Sequence, residues 1–205
     1  MAIQVRRPTL ADTFRMEGNA ALVRDVLLVL VFGSLMGLFA RISIPLPFTP
    51  VPITGQTFGV LLIGAVLGSR RGAAAMLVYL AEGIAGLPVF ALGLGGWAVI
   101  SGPTGGYLLS YPLAAFVVGF LAGRGWDRSI VFSAMAMLAG EIIIYAIGVP
   151  WLGHFVGMSN AVSLGLTPFI GGDLFKLVLA AAILPSAWLL VNRTNTTDLM
   201  GGLRR

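Results

Sequence analysis

The sequence predicts an all-α integral membrane protein with six transmembrane helices and with loops that re-enter the membrane from the extracellular side. Composition is the first reason, because 58% of the 205 residues are hydrophobic and only 10% are charged, against about 25% charged in soluble domains. The pattern is the second reason: apolar runs alternate with short arginine-bearing turns and with long uncharged segments rich in proline and glycine. We expect one membrane domain (22–191) between a cytoplasmic N-terminal segment (1–21) and a cytoplasmic tail (192–205).

The first apolar run, 22–42, has the length of about 20 residues that a spanning helix requires. Gly33, Gly37 and Ala40 lie on nearly one face of it, and small residues let a second helix approach closely. That face either packs inside the protein or docks a partner membrane protein. Because the opposite face carries bulky side chains throughout, we expect the small-residue face to dock a partner.

A proline-rich segment, 41–59, follows the first helix. Its prolines at positions 45, 47, 50 and 52 hold the backbone extended and exclude a helix. No charge occurs between Ile42 and Gly59, so a solvated linker is not expected. Irregular, apolar backbone inside a membrane protein must be buried in protein or line a cavity. We therefore predict a re-entrant loop.

The next two apolar runs, 56–68 and 72–85, are too short to cross a bilayer alone. Short segments interrupted by glycine and proline indicate a substrate site in transporters. The rest of the chain predicts the following order: an irregular segment (86–106), a fourth and a fifth helix (107–123 and 129–148), a third irregular segment (149–171) and a sixth helix (172–191).

Arginine placement predicts the orientation. Of the 13 basic residues, all except Arg41 and Lys176 fall on one side of this arrangement, in the N-terminal segment, the two short turns and the tail. Basic residues are retained on the cytoplasmic side of a membrane. Both termini are therefore predicted to be cytoplasmic, the irregular segments extracellular, and the protein a multi-pass, lipid-embedded component of the cell membrane.

Four ionisable residues are predicted at membrane depth: Glu82, Glu141, Asp173 and Lys176. A charge there costs at least a few kcal/mol and usually marks a ligand or ion path. Asp173 and Lys176 are three positions apart and share a helix face. An alternative is that Asp173 caps the sixth helix and Lys176 is its structural partner. For Glu82 and Glu141 the alternative is a protonated or hydrogen-bonded packing role.

Several classes of function are not expected. The chain has no cysteine and one histidine, His154, outside the predicted helices, so a metal or haem site is not expected. Without a Ser-His or carboxylate-His pair at a suitable spacing, we predict no enzyme activity. The basic residues are too dispersed for nucleic-acid binding. No nucleotide-binding motif occurs, so no cofactor is expected and any ATP must be used by another chain.

Three stretches of the chain resemble the BioY family of biotin transporters: RISIPLPFTPVPITGQTFGVLLIGAVLGSRRG, GLPVF with GPTGGYLLSYPLAAFVVGFLAG, and TPFIGGDLFKLVLAA. The resemblance implies an S-component of an energy-coupling-factor (ECF) transporter, which captures biotin with high affinity and releases it inside with a transmembrane T-component and two ATPases. It implies that Asp173 and Lys176 contact biotin. It also relates Gly33 and Gly37 to the family's small-residue docking motif, with glycine where alanine is usual.

The chemistry of biotin fits these residues. A carboxylate accepts the ureido N–H groups, and a lysine donates to the ureido oxygen or to the carboxylate. Apolar walls are expected from Leu87, Phe48, Phe90 and Trp97. The remaining candidates for substrate contact are Gln56, Tyr107, the backbone around Gly105, Glu82 and Glu141. An S-component for another vitamin stays open as an alternative, and an intramembrane enzyme is a weaker one.

Overall fold

The structure is a computed structural model that describes residues 7–13 and 16–202, with side chains as far as Val191. This part of the chain forms eight α-helices and one two-stranded antiparallel sheet. In chain order they are α1 (Gly18–Arg41), β1 (Ser43–Leu46), β2 (Thr49–Thr54), α2 (Gln56–Leu67), α3 (Ser69–Ile84), α4 (Trp97–Ile100), α5 (Gly105–Ala122), α6 (Ile130–Val156), α7 (Met158–Gly165) and α8 (Ile170–Gly202).

The predicted helical membrane fold is confirmed in its main features. Four helices, α1, α5, α6 and the 170–191 part of α8, are long and apolar enough to cross a membrane. With 12 and 16 residues, α2 and α3 are shorter than the roughly 20 that a crossing needs. Both were predicted to be short. That six helices cross the membrane stays a prediction.

The core is built around α5. Over its 18 most apolar residues, 61% are buried. The corresponding share is 17% in α1, which lies at the edge of the bundle. One face of α1 is therefore free: Leu27, Leu30 and Val31 are all about half exposed or more. Large apolar side chains on such a face suit a lipid environment, where exposing them costs nothing.

The small-residue face of α1 points inward in this chain, and its docking to a partner stays a prediction. Gly33, Gly37 and Ala40 are all buried within this chain. A Cβ added to Gly33 would lie 2.8 Å from the carbonyl oxygen of Ala75 in α3. The physical reason is the same bulkiness that suggested docking: the leucines face outward, and the small residues allow α1 to approach α3.

The proline-rich segment is extended, as predicted, and forms the β1–β2 hairpin, in which Ser43 pairs with Thr54 and Leu46 with Thr49. The prediction of no continuous helix between residues 86 and 106 is also confirmed, since this segment holds a 3-10 turn (Ala91–Gly93), the short α4 and the start of α5 at Gly105. The depth of the hairpin in a membrane stays a prediction.

Two predictions about helix ends are wrong. Residues 149–171 are mostly helical, because α6 continues through Pro150 to Val156 and α7 follows directly. His154 lies in the last turn of α6, with Nδ1 at 3.0 Å from the carbonyl oxygen of Pro150. Helices of membrane proteins tolerate proline when neighbouring groups satisfy the freed backbone. The sixth predicted helix, α8, also continues past Val191 to Gly202.

The non-helical segments pack together at one end of the bundle. The backbone N–H of Leu92 donates to Ser43 Oγ (3.2 Å), and Arg41 Nη2 donates to the carbonyl oxygen of Pro88 (3.0 Å). Thr49 Oγ1 donates to the carbonyl oxygen of Leu164 in α7 (2.8 Å). These bonds join the hairpin, the 86–104 segment and α7 into one cover over the helices.

At the opposite end, the described N-terminal residues are bound to the bundle. Arg71, at the start of α3, forms ion pairs with Asp12 (2.5 Å) and with Asp25 of α1 (3.0 Å). Thr9 is fully buried, and the backbone N–H of Arg7 donates to the carbonyl oxygen of Gly123 after α5 (2.9 Å). We call Arg71, Asp12 and Asp25 the arginine clamp.

Candidate functional site

A cavity of about 470 Å³ lies beneath the cover, between the hairpin, the 86–104 segment, α5, α6 and α8. This volume is within the range of about 300–1,000 Å³ typical of small-molecule sites. Most of its lining is apolar and comes from several elements, including Val51, Phe90, Leu94, Tyr111, Ile144 and Phe169. The cavity therefore suits a small ligand with an apolar body.

One cluster of polar side chains stands in this apolar wall. Lys176 Nζ lies 2.8 Å from Asp173 Oδ1, one helical turn away on α8, and also donates to Thr57 Oγ1 of α2 (3.1 Å). Thr57 Oγ1 donates to Asp173 Oδ1 (3.2 Å), and the Tyr145 hydroxyl of α6 donates to Asp173 Oδ2. Asp173 is buried, with 7% of its surface exposed. Hydrogen bonds with α2 and α6 thus fix the position of this ion pair.

Asp173 does not cap α8, so that alternative is wrong. The helix begins at Ile170, and the backbone N–H of Asp173 already donates to the carbonyl oxygen of Phe169 (2.9 Å). Its carboxylate bonds to Thr57 and Tyr145 of other helices, and to Lys176. The side chain therefore faces the bundle interior and the cavity.

Gln56, Tyr107 and Phe90 line the cavity, as predicted. The polar ends of the first two are used within the protein. Gln56 Nε2 donates to the Tyr79 hydroxyl (2.6 Å), which donates to the carbonyl oxygen of Val89 (3.1 Å). The Tyr107 hydroxyl donates to the carbonyl oxygen of Gly165 (2.8 Å). Direct contact of these residues with a substrate stays a prediction.

Three residues predicted as apolar walls lie elsewhere. Phe48, at the tip of the hairpin, and Leu87 are at least half exposed and outside the cavity lining. Trp97 is 65% exposed and lines a separate apolar groove with Trp151 and Phe155. For these three the prediction is wrong, because an apolar residue in a loop carries no periodicity that would show which way it points.

Gly105 is not a backbone donor to the cavity, which corrects another prediction. Its N–H donates to the carbonyl oxygen of Gly102 (3.0 Å). A Cβ at this position would lie 1.7 Å from the carbonyl oxygen of Ile100. The glycine therefore allows α4 to pack against the start of α5, while Gly102 and Thr104 line the cavity instead.

The two glutamates, which were predicted as substrate contacts, do not line the cavity with Asp173 and Lys176. Glu82 lies on α3 and accepts a hydrogen bond from Ser34 Oγ of α1 (2.6 Å). Glu141 is buried, and neither carboxyl oxygen has a hydrogen-bond partner in the described part of the chain. It lines an apolar groove between α6 and α8, on the other side of Tyr145 and Asp173 from the cavity.

Sequence reasoning missed Thr57 and Tyr145. Both are neutral, so the cost of burying a charge did not single them out. A weak signal existed for each, since Thr57 follows Gln56 directly, and Tyr145 lies one helical turn after Glu141. Their hydrogen bonds to Asp173 make them part of the candidate site.

Comparisons with known proteins bear on the family of the chain. The sequence pattern of the BioY family matches residues 10–193 of the chain. The "Probable biotin transporter BioY" of Pyrococcus horikoshii is 42% identical over 160 residues, covering 78% of this chain and 93% of that protein. The "Biotin transporter BioY" of Thermotoga maritima is 44% identical over 162 residues, covering 78% and 94%.

The fold also has a solved counterpart. It is similar to the S-component for biotin from an ECF-type ABC transporter, known from a crystal structure at 2.1 Å, with a TM-score of 0.73 and 27% sequence identity. The similarity covers 83% of this chain and 94% of that chain. The family pattern and these relatives extend over most of the sequence, and the chain belongs to the BioY family.

Proposed function

We propose that this protein captures biotin and takes it up across the cell membrane as the S-component of an ECF-type transporter. The family and the named relatives support a transport role, and the solved S-component for biotin supports the assignment within such a transporter. A transporter component has no reaction to catalyse, which agrees with the prediction that the chain is not an enzyme.

The observation that carries the proposal is the Asp173–Lys176 pair at the apolar cavity. An ammonium group has three donors, and Lys176 uses two of them, on Thr57 and Asp173. A carboxylate has about four acceptor positions, and Asp173 uses three, for Thr57, Lys176 and Tyr145. Each partner therefore keeps one hydrogen-bonding position for a ligand.

Biotin can occupy both of these hydrogen-bonding positions. Its ureido group presents a carbonyl acceptor beside N–H donors, so the carbonyl pairs with Lys176 and an N–H pairs with Asp173. Its thioether ring and aliphatic chain fit against walls such as Phe90, Tyr111 and Phe169. Because both charged residues stay paired with each other, binding a neutral ureido group leaves no buried charge without a partner.

Biotin is the transported ligand and not a cofactor, and ATP is used by two ATPase subunits that act through a T-component.

The cavity and the arginine clamp lie at opposite ends of the bundle, since Arg41 and Asp25 belong to opposite ends of α1. With both termini and the clamp on the cytoplasmic side, the cavity faces outward, where biotin is collected.

Equilibrium binding tests the ligand. Purified protein in detergent should bind labelled biotin saturably without ATP, and excess riboflavin or thiamine should not displace it. Displacement by either vitamin would instead support an S-component of different specificity. A second experiment tests transport: cells that lack their own biotin uptake should accumulate biotin only when this chain is expressed together with the T-component and the ATPases.

A further inference from the structure

A second cleft, of about 490 Å³, lies at the arginine-clamp end of the bundle. It is lined by four arginines and two aspartates: Arg7, Arg24, Arg70, Arg71, Asp12 and Asp25. They come from the N-terminal residues, from α1 and from the start of α3. The cleft is separate from the candidate biotin cavity, with which it shares no lining residue.

The positive charge in this cleft exceeds the negative charge. Both aspartates are engaged by Arg71, and Asp25 is also paired with Arg24 at 2.7 Å. Two carboxylates thus face four guanidinium groups. Within the described residues, Arg7 and Arg70 form no ion pair, and both are exposed. A guanidinium fork matches the oxygens of a phosphate group, with which it forms paired hydrogen bonds.

An exposed apolar surface lies at the same end of α1, on its outer side. Leu22, Val23, Val26 and Leu27 flank Arg24 and Asp25 in the sequence but lie on the helix face that points away from the cleft, and each is about half exposed or more. α1 is one of the helices long and apolar enough to cross a membrane. At the start of such a helix, arginine side chains stand at the level of lipid head groups.

We propose that this cleft binds the phosphate of an anionic phospholipid, with the acyl chains of the lipid lying along the exposed face of α1. Basic pockets at the membrane surface attract anionic head groups. A free phosphate would use the arginines but not the apolar outer side of α1. An acidic protein partner would likewise leave leucines and valines of α1 unexplained. The lipid uses both features, and this inference does not depend on the identity of the transported vitamin.

Native mass spectrometry of the purified full chain tests the proposal, with phosphatidylglycerol and phosphatidylcholine as probes. The wild type should retain one phosphatidylglycerol in preference to phosphatidylcholine. Arg70→Gln should weaken phosphatidylglycerol binding roughly fivefold, the effect of about 1 kcal/mol for each basic residue at a membrane surface. Biotin binding should be unchanged, because Arg70 is outside the biotin cavity.

Arg124→Gln is the matched control. It also removes one positive charge, but from the turn after α5, where Arg124 lies over the Phe120 ring and outside the cleft. Its phosphatidylglycerol binding should equal that of the wild type. An equal loss in Arg70→Gln and Arg124→Gln would overturn the proposal, because it would show attraction to net charge alone. Displacement of the lipid by millimolar inorganic phosphate would overturn the lipid assignment in favour of a free phosphate.

Discussion

The two ends of this molecule each hold buried or half-buried ion pairs, but they use them differently. In the arginine clamp, Arg71 donates to Asp12, Asp25, Thr9 and the carbonyl oxygen of Leu67, so four of its five N–H groups are bound within the protein. At the cavity, the Asp173–Lys176 pair stands in a mostly apolar wall that encloses a space of about 470 Å³. The surroundings of the ion pair, more than the presence of charge, distinguish the candidate biotin site from the clamp.

The largest expected effect is at the cavity. Asp173→Asn removes the carboxylate charge at constant size, and Lys176→Met removes the ammonium group but keeps an unbranched side chain. Each should weaken biotin binding roughly ten- to hundredfold, because hydrogen bonds to charged groups contribute about 1.5–3 kcal/mol. The measurement is equilibrium binding of labelled biotin to folded variants.

Asp12→Asn is the matched control for these variants, since it makes the same change in the arginine clamp. It should bind biotin like the wild type. If Asp173→Asn and Lys176→Met also bind like the wild type, the ion pair at the cavity is structural, and the distinction between the two ends fails.

A somewhat smaller effect is expected in α1, the helix that connects the two ends. Gly33→Ala places a Cβ 2.8 Å from a backbone oxygen of α3, so the two helices must separate. Overpacking of this kind typically costs about 1–3 kcal/mol. The thermal unfolding temperature of the isolated protein should therefore fall.

Gly37→Ala provides the comparison, because its Cβ would make an ordinary contact, 3.4 Å from Val89 Cβ. Its unfolding temperature should be unchanged or slightly higher, since alanine favours a helix over glycine. Equal stability of the Gly33→Ala and Gly37→Ala variants would contradict internal packing of this face and favour partner docking.

The smallest expected effect is a loss of stability at acid pH, where the arginine clamp is weakened. Burial acts to raise the pKa of Asp12, but hydrogen bonds from Thr9 and Arg71 outweigh it, and the pKa is lowered from its usual 3.8. Asp12 therefore contributes stability above pH 3.8 that is lost as the pH falls through its lower value in the folded state. The contribution is at most about 1 kcal/mol, because the side chain is 33% exposed.

Thermal unfolding at pH 6 and pH 3 measures this effect. Asp12→Asn should be less stable than the wild type at pH 6, and the difference should shrink at pH 3. A difference that is the same at both pH values would show that the charge of Asp12 does not stabilise the clamp.

Much of the fold could be predicted from the sequence because it depends on local chemistry. Prolines fix φ, so the 41–59 segment had to be extended. The short runs of α2 and α3 reflect helix length directly. The helical 149–171 region could not be predicted in this way, since Pro150 and several glycines disfavour a helix locally and tertiary packing decides the outcome.

The candidate site was predicted in part for a similar reason. Asp173 and Lys176 stood out because charges at membrane depth are costly. Their neutral partners, Thr57 and Tyr145, carry no such cost and depend on helices meeting in space. Gly33 and Gly37 revealed a close helix contact, but spacing alone does not tell whether the neighbour is internal or a partner.

The most direct test of the central claim uses the fact that the chain has no cysteine, so that single cysteines can be introduced and labelled. Ala98 lines the cavity, whereas the adjacent Trp97 faces a different groove, and both are exposed. Biotin should protect Ala98→Cys from a maleimide reagent and should leave the labelling of Trp97→Cys unchanged. Equal labelling of Ala98→Cys with and without saturating biotin would contradict the claim that biotin occupies this cavity.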